Sequence, residues 1–252
     1  MRFRFFIKGI IAIFPSFLKR FFYRHLFGYK IGKRVRIGLS IIDVDNCVIE
    51  DDTSIGHFNI FIGTKSVSVG DHTIIGHFNV FRGGDLISIG RYCEILRFNE
   101  INSLSKTTMI NEVDQTFIIG DGTMLGASHK IDFTDRVEVG KCVILGGRNS
   151  SVWTHNRQMT KPVSIGDYAY IGSEIRIAPG GEIPANSIVG IGSVITKKLE
   201  GEYKVIAGVP ARVISDLDEA GIFLISNKTR PDLPDEIANA PLGDTDSKRL
   251  LR

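Results

Sequence analysis

One histidine lies in a segment whose composition could support proton transfer. Residues 152–164 read VWTHNRQMTKPVS and interrupt a regular pattern of aliphatic residues on both sides. An imidazole such as that of His155 can accept a proton from a hydroxyl or an amine. Loops that leave a rigid scaffold often carry such groups. An isolated loop histidine is ambiguous, so its meaning depends on the elements that hold it.

The cysteines and three further histidines of the sequence are better explained by structural roles. Three cysteines are spread widely without metal-ligand spacing: Cys47, Cys93 and Cys142. We expect reduced, partly buried thiols and no covalent nucleophile. A zinc site can be imagined from His57, His72 and His77, but the repeated sequence IGHFN around His57 and His77 favours a duplicated structural turn. We therefore predict no metal.

The pattern around the His155 segment is an aliphatic residue at every sixth position. It is unbroken over six residues: Ile165, Ile171, Ile177, Ile183, Val189 and Ile195. A period of six is neither helical nor a simple strand alternation, and it fits short strands joined by corners. Successive coil openings are 20, 20, 30, 20 and 26 residues apart. The sequence therefore predicts a solenoid with three strands per coil and extra residues in some turns.

A second regularity follows ten residues after the coil openings. Its members are Asn59, Asn79, Asn99, His129 and Asn149. We expect the asparagines to be left-handed turn residues at one corner, because a short polar side chain tolerates that conformation. His129 departs from the series and is a candidate for function.

The loop and the coils after it resemble the hexapeptide-repeat acyltransferases that use coenzyme A. The similar runs are THNRQMTKPVSIGDYAYIGSEIRIAPG, IVGIGSVITKKL and AGVPARVI. The resemblance covers about residues 31–214, and it implies a mainly β chain folded as a left-handed parallel β-helix. The handedness comes from the resemblance, since crossovers in general prefer the right hand. It also implies acetyl-coenzyme A as co-substrate and His155 as the general base, with direct attack on the thioester.

The same resemblance implies the remaining site residues. The stretch Ser128–Asp132 is similar to a segment that lines the acceptor side in the polysaccharide-modifying branch. Our hypothesis is that His129 or Asp132 orients His155 or binds the acceptor sugar, with hydrogen bonding at a corner as the alternative. Asn149 and Trp153 are further predicted substrate-binding residues. The predicted coenzyme A contacts are Tyr170, Gly172, Ser173, Gly190, Ser193, Lys197, Lys198 and Arg212, with a solvated turn as the alternative for the two lysines.

The function that these features predict is acetyl transfer to a sugar hydroxyl of a bacterial surface polysaccharide or its lipid-linked precursor. N-acetylation of an amino-sugar nucleotide is the alternative, because a histidine base would serve an amine equally well. A non-catalytic β-helix scaffold is a further alternative. The family usually forms trimers, so we expect a homotrimer.

Composition divides the chain into a basic head and an acidic body. Residues 1–42 contain ten Lys or Arg, no acid and eight of the sixteen phenylalanines. We predict an amphipathic helical segment at 1–30, a β-helix at 31–214 and a tail at 215–252 with a helix near 217–226 and a loosely ordered end.

Residues 1–27 fit a membrane surface better than nucleic acid, because phenylalanine has no use on a phosphate backbone. A hydrophobic cap on the solenoid is the alternative. The apolar stretches are too short for a span and no cleavage site follows, so we expect a cytoplasmic protein at the inner face of the membrane.

Overall fold

The computed structural model describes residues 2–105, 111–226 and 233–238, which form a parallel β-solenoid with short helices at both ends. The helices are α1 (Arg2–Ile11), α2 (Ser16–Phe27), α3 (Glu219–Ile225) and α4 (Asp235–Ala238). The strands are β1 (Lys30–Ile31), β2 (Arg36–Ile37), β3 (Ile41–Asp43), β4 (Asn46–Ile49), β5 (Ser54–Ile55), β6 (Ile60–Ile62), β7 (Ser66–Val69), β8 (Ile74–Ile75), β9 (Val80–Arg82), β10 (Leu86–Ile89), β11 (Glu94–Ile95), β12 (Glu100–Asn102), β13 (Thr116–Ile119), β14 (Met124–Ala127), β15 (Lys130–Asp132), β16 (Val137–Val139), β17 (Ile144–Arg148), β18 (Ser151–Val152), β19 (Val163–Ile165), β20 (Tyr170–Ile171), β21 (Arg176–Ile177), β22 (Glu182–Ile183), β23 (Ile188–Val189), β24 (Val194–Ile195), β25 (Lys204–Gly208) and β26 (Ala211–Asp216).

The strands form three sheets, one for each side of the solenoid. Sheet A runs β1-β4-β7-β10-β13-β16-β19-β22, sheet B runs β2-β5-β8-β11-β14-β17-β20-β23-β25-β26, and sheet C runs β3-β6-β9-β12-β15-β18-β21-β24. Each strand pairs in parallel with the equivalent strand of the next coil, except that β25 and β26 are antiparallel. The last part of the predicted β-helix is therefore a hairpin added to sheet B.

The six-residue period places one apolar side chain from each strand in the core. All six members of the run from Ile165 to Ile195 are at most 2% exposed. Equivalent residues stack from coil to coil, and the rings of Phe61 and Phe81 are parallel with centroids 4.4 Å apart. Burying each such side chain stabilises the fold by about 1.5–3 kcal/mol. The predicted solenoid is confirmed in its three strands per coil and in its inward residues.

The asparagine series forms a buried ladder at the corner between sheets B and C. The Oδ1 atom of Asn59 accepts from the backbone N–H of Asn79 at 2.9 Å, and Asn79 serves Asn99 in the same way. The left-handed residue is one position earlier, with φ near 60° at Phe58, Phe78 and Phe98. The prediction of left-handed asparagines is therefore wrong for these three.

Asn149 is the exception in that series. It is left-handed, with φ 60°, and its side chain is exposed. One extra residue within β17, between Leu145 and Arg148, shifts the register relative to β14, so Ser150 occupies the ladder position above His129.

The basic head contains two helices rather than one, because Pro15 lacks an N–H and ends the first helical run. Both helices cover the open end of the first coil, where Ile11 and Tyr23 are buried. At the other end, α3 lies inside the predicted 217–226 segment, and α4 packs on Cys142 and Tyr168 through Leu233 and Ile237. The rest of the predicted loose end, 227–232 and 239–252, lies outside the described residues. None of the described helices is long and apolar enough to cross a bilayer.

Candidate active site

His155 and Asp132 form a hydrogen-bonded pair at the corner between sheets C and A. Asp132 ends β15, and His155 follows β18, the next strand of sheet C. The Nδ1 atom of His155 lies 2.7 Å from Oδ2 of Asp132. The Asp132 side chain is 3% exposed, whereas that of His155 is 23% exposed and reaches solvent. Because a carboxylate accepts, Nδ1 carries the proton and Nε2 keeps its lone pair for a substrate.

Two threonines complete the environment of the Asp132 carboxylate. Oδ1 accepts from the hydroxyl of Thr134 at 2.6 Å and from its backbone N–H at 3.3 Å. Oδ2 accepts from the hydroxyl of Thr154 at 2.8 Å and from its backbone N–H at 3.0 Å. With His155, the buried carboxylate therefore accepts five hydrogen bonds, which fix its orientation.

The loop that interrupts the repeat is a small hairpin that fixes the backbone of His155. His155 and Thr160 form an antiparallel bridge. Between them, Oδ1 of Asn156 accepts from the backbone N–H groups of Gln158 and Met159 at 2.8 and 2.9 Å. An asparagine that binds the backbone two and three residues ahead is a standard way to close a tight turn. Thr134, Thr154 and Asn156 cannot be recognised from the sequence, because each has the residue type of an ordinary corner until its partner is known.

A second loop, after β12, adds to the wall of the site. The backbone N–H of Leu104 donates to the Thr134 hydroxyl at 3.0 Å, and Nδ2 of Asn111 lies 3.4 Å from the carbonyl oxygen of Thr160. This loop produces the spacing of 30 between coil openings. That interval was its sequence signal.

Trp153 lies beside the catalytic candidate pair, whereas Asn149 lies at another corner. The indole ring is 36% exposed and meets the His155 ring edge-on, with centroids 6.4 Å apart. The Lys130 ammonium lies 5.5 Å from the centre of the Trp153 ring. The carbonyl of Asn149 instead accepts a hydrogen bond from Arg176.

His129 lies at the opposite end of β15 from Asp132. It is 1% exposed, its Nδ1 accepts from the backbone N–H of Ser150 at 3.1 Å, and its backbone N–H donates to Asn99. Burial lowers the pKa of His129 to about 4, so the ring is neutral near pH 7. Its Nε2 is buried without a hydrogen-bond partner among the described residues. Of the two residues predicted to orient His155, Asp132 therefore contacts it, whereas His129 continues the asparagine ladder.

The residues predicted to bind coenzyme A lie along two different corners of one chain. Tyr170, Gly172 and Ser173 lie on sheet B and the corner after it, as does Gly190 one coil later. Lys197 and Lys198 follow β24 of sheet C, where Lys198 is 3.2 Å from Glu182 of β22 in sheet A. The structure does not bring the two groups together within one chain.

Two of these residues, Gly172 and Ser193, also have packing roles. A Cβ at Gly172 would lie 2.8 Å from the backbone nitrogen of Ile191, so close coil stacking requires glycine there. The Ser193 hydroxyl is buried and donates to the carbonyl of Gly190 at 2.6 Å. Exposed polar groups remain at Lys197 and Arg212.

A groove of about 1210 Å³ runs along the outer face of sheet A. It includes Lys198 and Glu182 but not His155. The His155–Asp132 pair is therefore not part of the lining of this groove.

The three histidines weighed for zinc are divided between two corners. The rings of His57 and His77 stack 5.5 Å apart, and the Nδ1 of each accepts a backbone N–H. His72 lies at the corner between sheets A and B, where its Nδ1 is 2.8 Å from Asp71. The described residues contain no group of three or more candidate metal ligands.

Comparisons with known proteins support the fold and, for one segment, a relationship to acetyltransferases. No protein-family model matches the sequence. Over 58 residues, the chain is 43% identical to galactoside O-acetyltransferase of Escherichia coli strain K12, which is 23% of this chain and 28% of that protein. The chain thus covers less than a third of the length of the curated relatives it matches.

Two solved structures share the solenoid. One is UDP-N-acetylglucosamine O-acyltransferase of Moraxella catarrhalis, with a TM-score of 0.51, 18% identity and coverage of 84% of this chain and 88% of that chain. The other is the polysialic acid O-acetyltransferase OatWY, with a TM-score of 0.50, 20% identity and coverage of 75% and 88%. At these identities the likeness shows the fold alone. The chain therefore has the left-handed parallel β-helix fold of these acyltransferase structures.

Proposed function

We propose that this protein is an acetyl-coenzyme A-dependent O-acetyltransferase that modifies a sugar hydroxyl. The observation that carries the proposal is the hydrogen bond between His155 and the buried Asp132, in a loop held out from a rigid solenoid. The 58-residue match to galactoside O-acetyltransferase supports acetyl transfer and makes a galactoside the first acceptor to try. The fold shared with two sugar-directed acyltransferases agrees with it.

The pair supplies general-base catalysis. Nε2 of His155 takes the proton of the acceptor hydroxyl as its oxygen attacks the thioester carbonyl, and the carbon–sulfur bond then breaks. The imidazolium returns the proton to the leaving thiolate of coenzyme A. Asp132 stabilises the imidazolium and holds the correct tautomer, as the acid does in other histidine-based sites. No covalent intermediate on the protein is needed.

Trp153 fits the acceptor side of this site. Its indole ring is adjacent to His155 and partly exposed, and such a ring offers an apolar face to a sugar ring. We propose a glycan or its lipid-linked precursor as the acceptor.

We infer that the working unit is a homotrimer. One chain carries His155 and the candidate coenzyme A residues around Gly172 at different corners, and a neighbouring chain would unite them. The corner between sheets B and C also exposes a ladder of phenylalanines: Phe58, Phe78 and Phe98. Their rings stack at 4.9 and 5.1 Å, and 45–54% of each is exposed. A neighbouring subunit would cover this apolar edge.

The release of the coenzyme A thiol tests the proposal. Purified protein is incubated with acetyl-coenzyme A and either hydroxyl sugars or amino sugars, with His155→Ala as the control. We expect turnover with a hydroxyl sugar and a loss of about 10²–10⁴-fold in His155→Ala. Turnover with amino sugars alone would instead support N-acetylation. Absence of coenzyme A binding by calorimetry would support a non-catalytic scaffold.

A further inference from the structure

The cations of the two amino-terminal helices are used to close the solenoid. The buried ammonium of Lys19 donates to the carbonyls of Ile37 and Gly38, and the guanidinium of Arg20 donates to that of Val35 at 2.8 Å. These carbonyls belong to the first coil, whose sheet edges have no coil beneath them. Because unpaired edges of sheets must be covered, these side chains act as caps.

Two further cations follow the same pattern. Lys8 is fully buried, and its ammonium is 2.7 Å from the carboxylate of Asp43 and 2.8 Å from the hydroxyl of Tyr29. Arg24 donates to the carbonyls of Ile31 and Gly32. The inner face of the helices is therefore a polar and apolar cap, as one of the sequence-based alternatives expected.

The outer face of the same helices is apolar and exposed. Phe6, Ile10 and Ile13 follow one side of α1 at helical spacing and continue into the turn, and Phe17 and Phe21 do the same on α2. Their exposed fractions are 64%, 44%, 74%, 62% and 54%. The cap has already buried its inner face, so packing on the solenoid does not explain these five residues. A patch of this kind marks an interaction surface.

The charges nearest this patch are mostly positive. The first coil, directly below the helices, exposes Lys30, Lys33 and Arg36, and the first acids beside them are Asp51 and Asp52 of the next coil. The sequence has no acid before Asp43. An apolar face with a cationic rim matches an anionic lipid surface, in which acyl chains take up the apolar side chains and headgroups face the cations.

We propose that the outer face of α1 and α2 docks this protein on an anionic membrane, with the helices in the interfacial plane and the solenoid axis directed away from it. A second copy fits less well, because a twofold contact would place the same cationic rim against itself. An acidic protein partner is the other occupant with matching charge. The proposal does not depend on the reaction catalysed.

Vesicle co-sedimentation of the full chain tests the docking surface with point variants that keep the cap. The vesicles contain phosphatidylcholine alone or with phosphatidylglycerol. The matched pair is Phe17→Ser on the proposed face and Phe223→Ser on α3, whose ring is 58% exposed at the far end. A charge pair, Lys33→Gln and Lys65→Gln, compares the rim with the body. Melting curves confirm that each variant is folded.

We expect binding to phosphatidylglycerol vesicles that exceeds binding to neutral vesicles and falls with salt. Phe17→Ser should weaken it about tenfold, the worth of transferring one exposed phenylalanine out of water, while Phe223→Ser leaves it unchanged. Lys33→Gln should weaken it several-fold more than Lys65→Gln. The proposal is overturned if the wild type binds neither vesicle or if both phenylalanine variants lose binding equally. It is also overturned if Phe17→Ser only lowers the mass seen by light scattering, or if the face retains an acidic protein but no vesicle.

Discussion

Replacing Asp132 with asparagine separates the charge of this carboxylate from its hydrogen bonds. Oδ2 faces two N–H donors, the backbone of Thr154 and Nδ1 of His155. A side-chain amide must therefore keep its oxygen at this position and turn its NH₂ group toward Thr134, whose hydroxyl can accept. The tautomer of His155 is then preserved, and the main loss is the attraction between the carboxylate and the imidazolium, with a smaller one from the backbone N–H of Thr134, which loses its 3.3 Å contact with Oδ1.

The size of that attraction follows from the geometry. With Nδ1 and Oδ2 at 2.7 Å, the charge centres are about 4 Å apart, which gives about 4 kcal/mol at an effective dielectric constant of about 20. If about half of the imidazolium charge has developed in the transition state, Asp132→Asn costs about 2 kcal/mol. This corresponds to a decrease of about 30-fold in kcat/KM.

The assay is release of the coenzyme A thiol with the best hydroxyl acceptor, together with a melting curve for each variant. Asp135→Asn is the matched control, because this neighbouring buried carboxylate accepts backbone N–H groups of Asp114 and Arg136 instead of binding His155. We expect the control to retain activity within about twofold. The reasoning is refuted if Asp132→Asn also stays within twofold, or if it is as inactive as His155→Ala.

Three further substitutions test other parts of the structure. The pKa of His129 is about 4 in the folded chain and about 6.5 in the unfolded chain, so the unfolded chain binds more protons between these values. The free energy of unfolding therefore falls by about 3 kcal/mol from pH 6.5 to pH 4. His129→Asn should remove that part of the pH dependence in denaturant titrations without loss of activity, and an unchanged pH dependence would contradict this prediction. Lys19→Met should lower the free energy of unfolding by about 2 kcal/mol because it removes two hydrogen bonds from a buried ammonium and leaves the carbonyls of Ile37 and Gly38 with one neutral donor each, and a loss as small as in the surface control Lys65→Met would exclude a capping role. Phe78→Ser should raise the dissociation constant of the trimer at least about tenfold in analytical ultracentrifugation, and an unaltered trimer would remove the phenylalanine ladder from the interface.

The solenoid could be predicted because its core requires a regular spacing of aliphatic residues, which is visible in the sequence. A core that takes one side chain from each short strand demands an aliphatic residue at every sixth position, and Ile165 through Ile195 satisfy this without a break. The asparagine ladder was visible as a period but not as a contact. Asparagine is expected at this spacing whether its side chain binds the next coil or its backbone is left-handed, so the sequence does not distinguish the two roles. The structure shows that the left-handed residues are Phe58, Phe78 and Phe98.

The site was predictable in its histidine and incomplete in its support. His155 stands out because it lies where the period fails, and Asp132 was one of two candidates to orient it. The choice between Asp132 and His129 depends on which end of β15 meets the loop, and that is set by the placement of corners in three dimensions. Thr134 and Thr154 carry no signal of their own, because hydroxyls at corners are common in this chain, as at Thr53 and Thr123.

The helices at the amino terminus show why charge counts alone are insufficient. The head was predicted to be either a membrane anchor or a cap, since both uses require cations and apolar residues. Lys8 and Lys19 bind groups of the first coil, whereas the side chains of Phe17 and Phe21 are exposed. The inner face of these helices therefore fits a cap and the outer face fits a membrane anchor, a division that composition cannot show.

The most direct test of the central claim is mass spectrometry of a sugar acceptor after incubation with acetyl-coenzyme A and either wild-type protein or His155→Gln. The account predicts that the wild type adds one acetyl group to a hydroxyl and that His155→Gln, which keeps the size of the side chain but not the base, leaves the acceptor unmodified over the same time. An acceptor acetylated equally by both proteins would contradict the account.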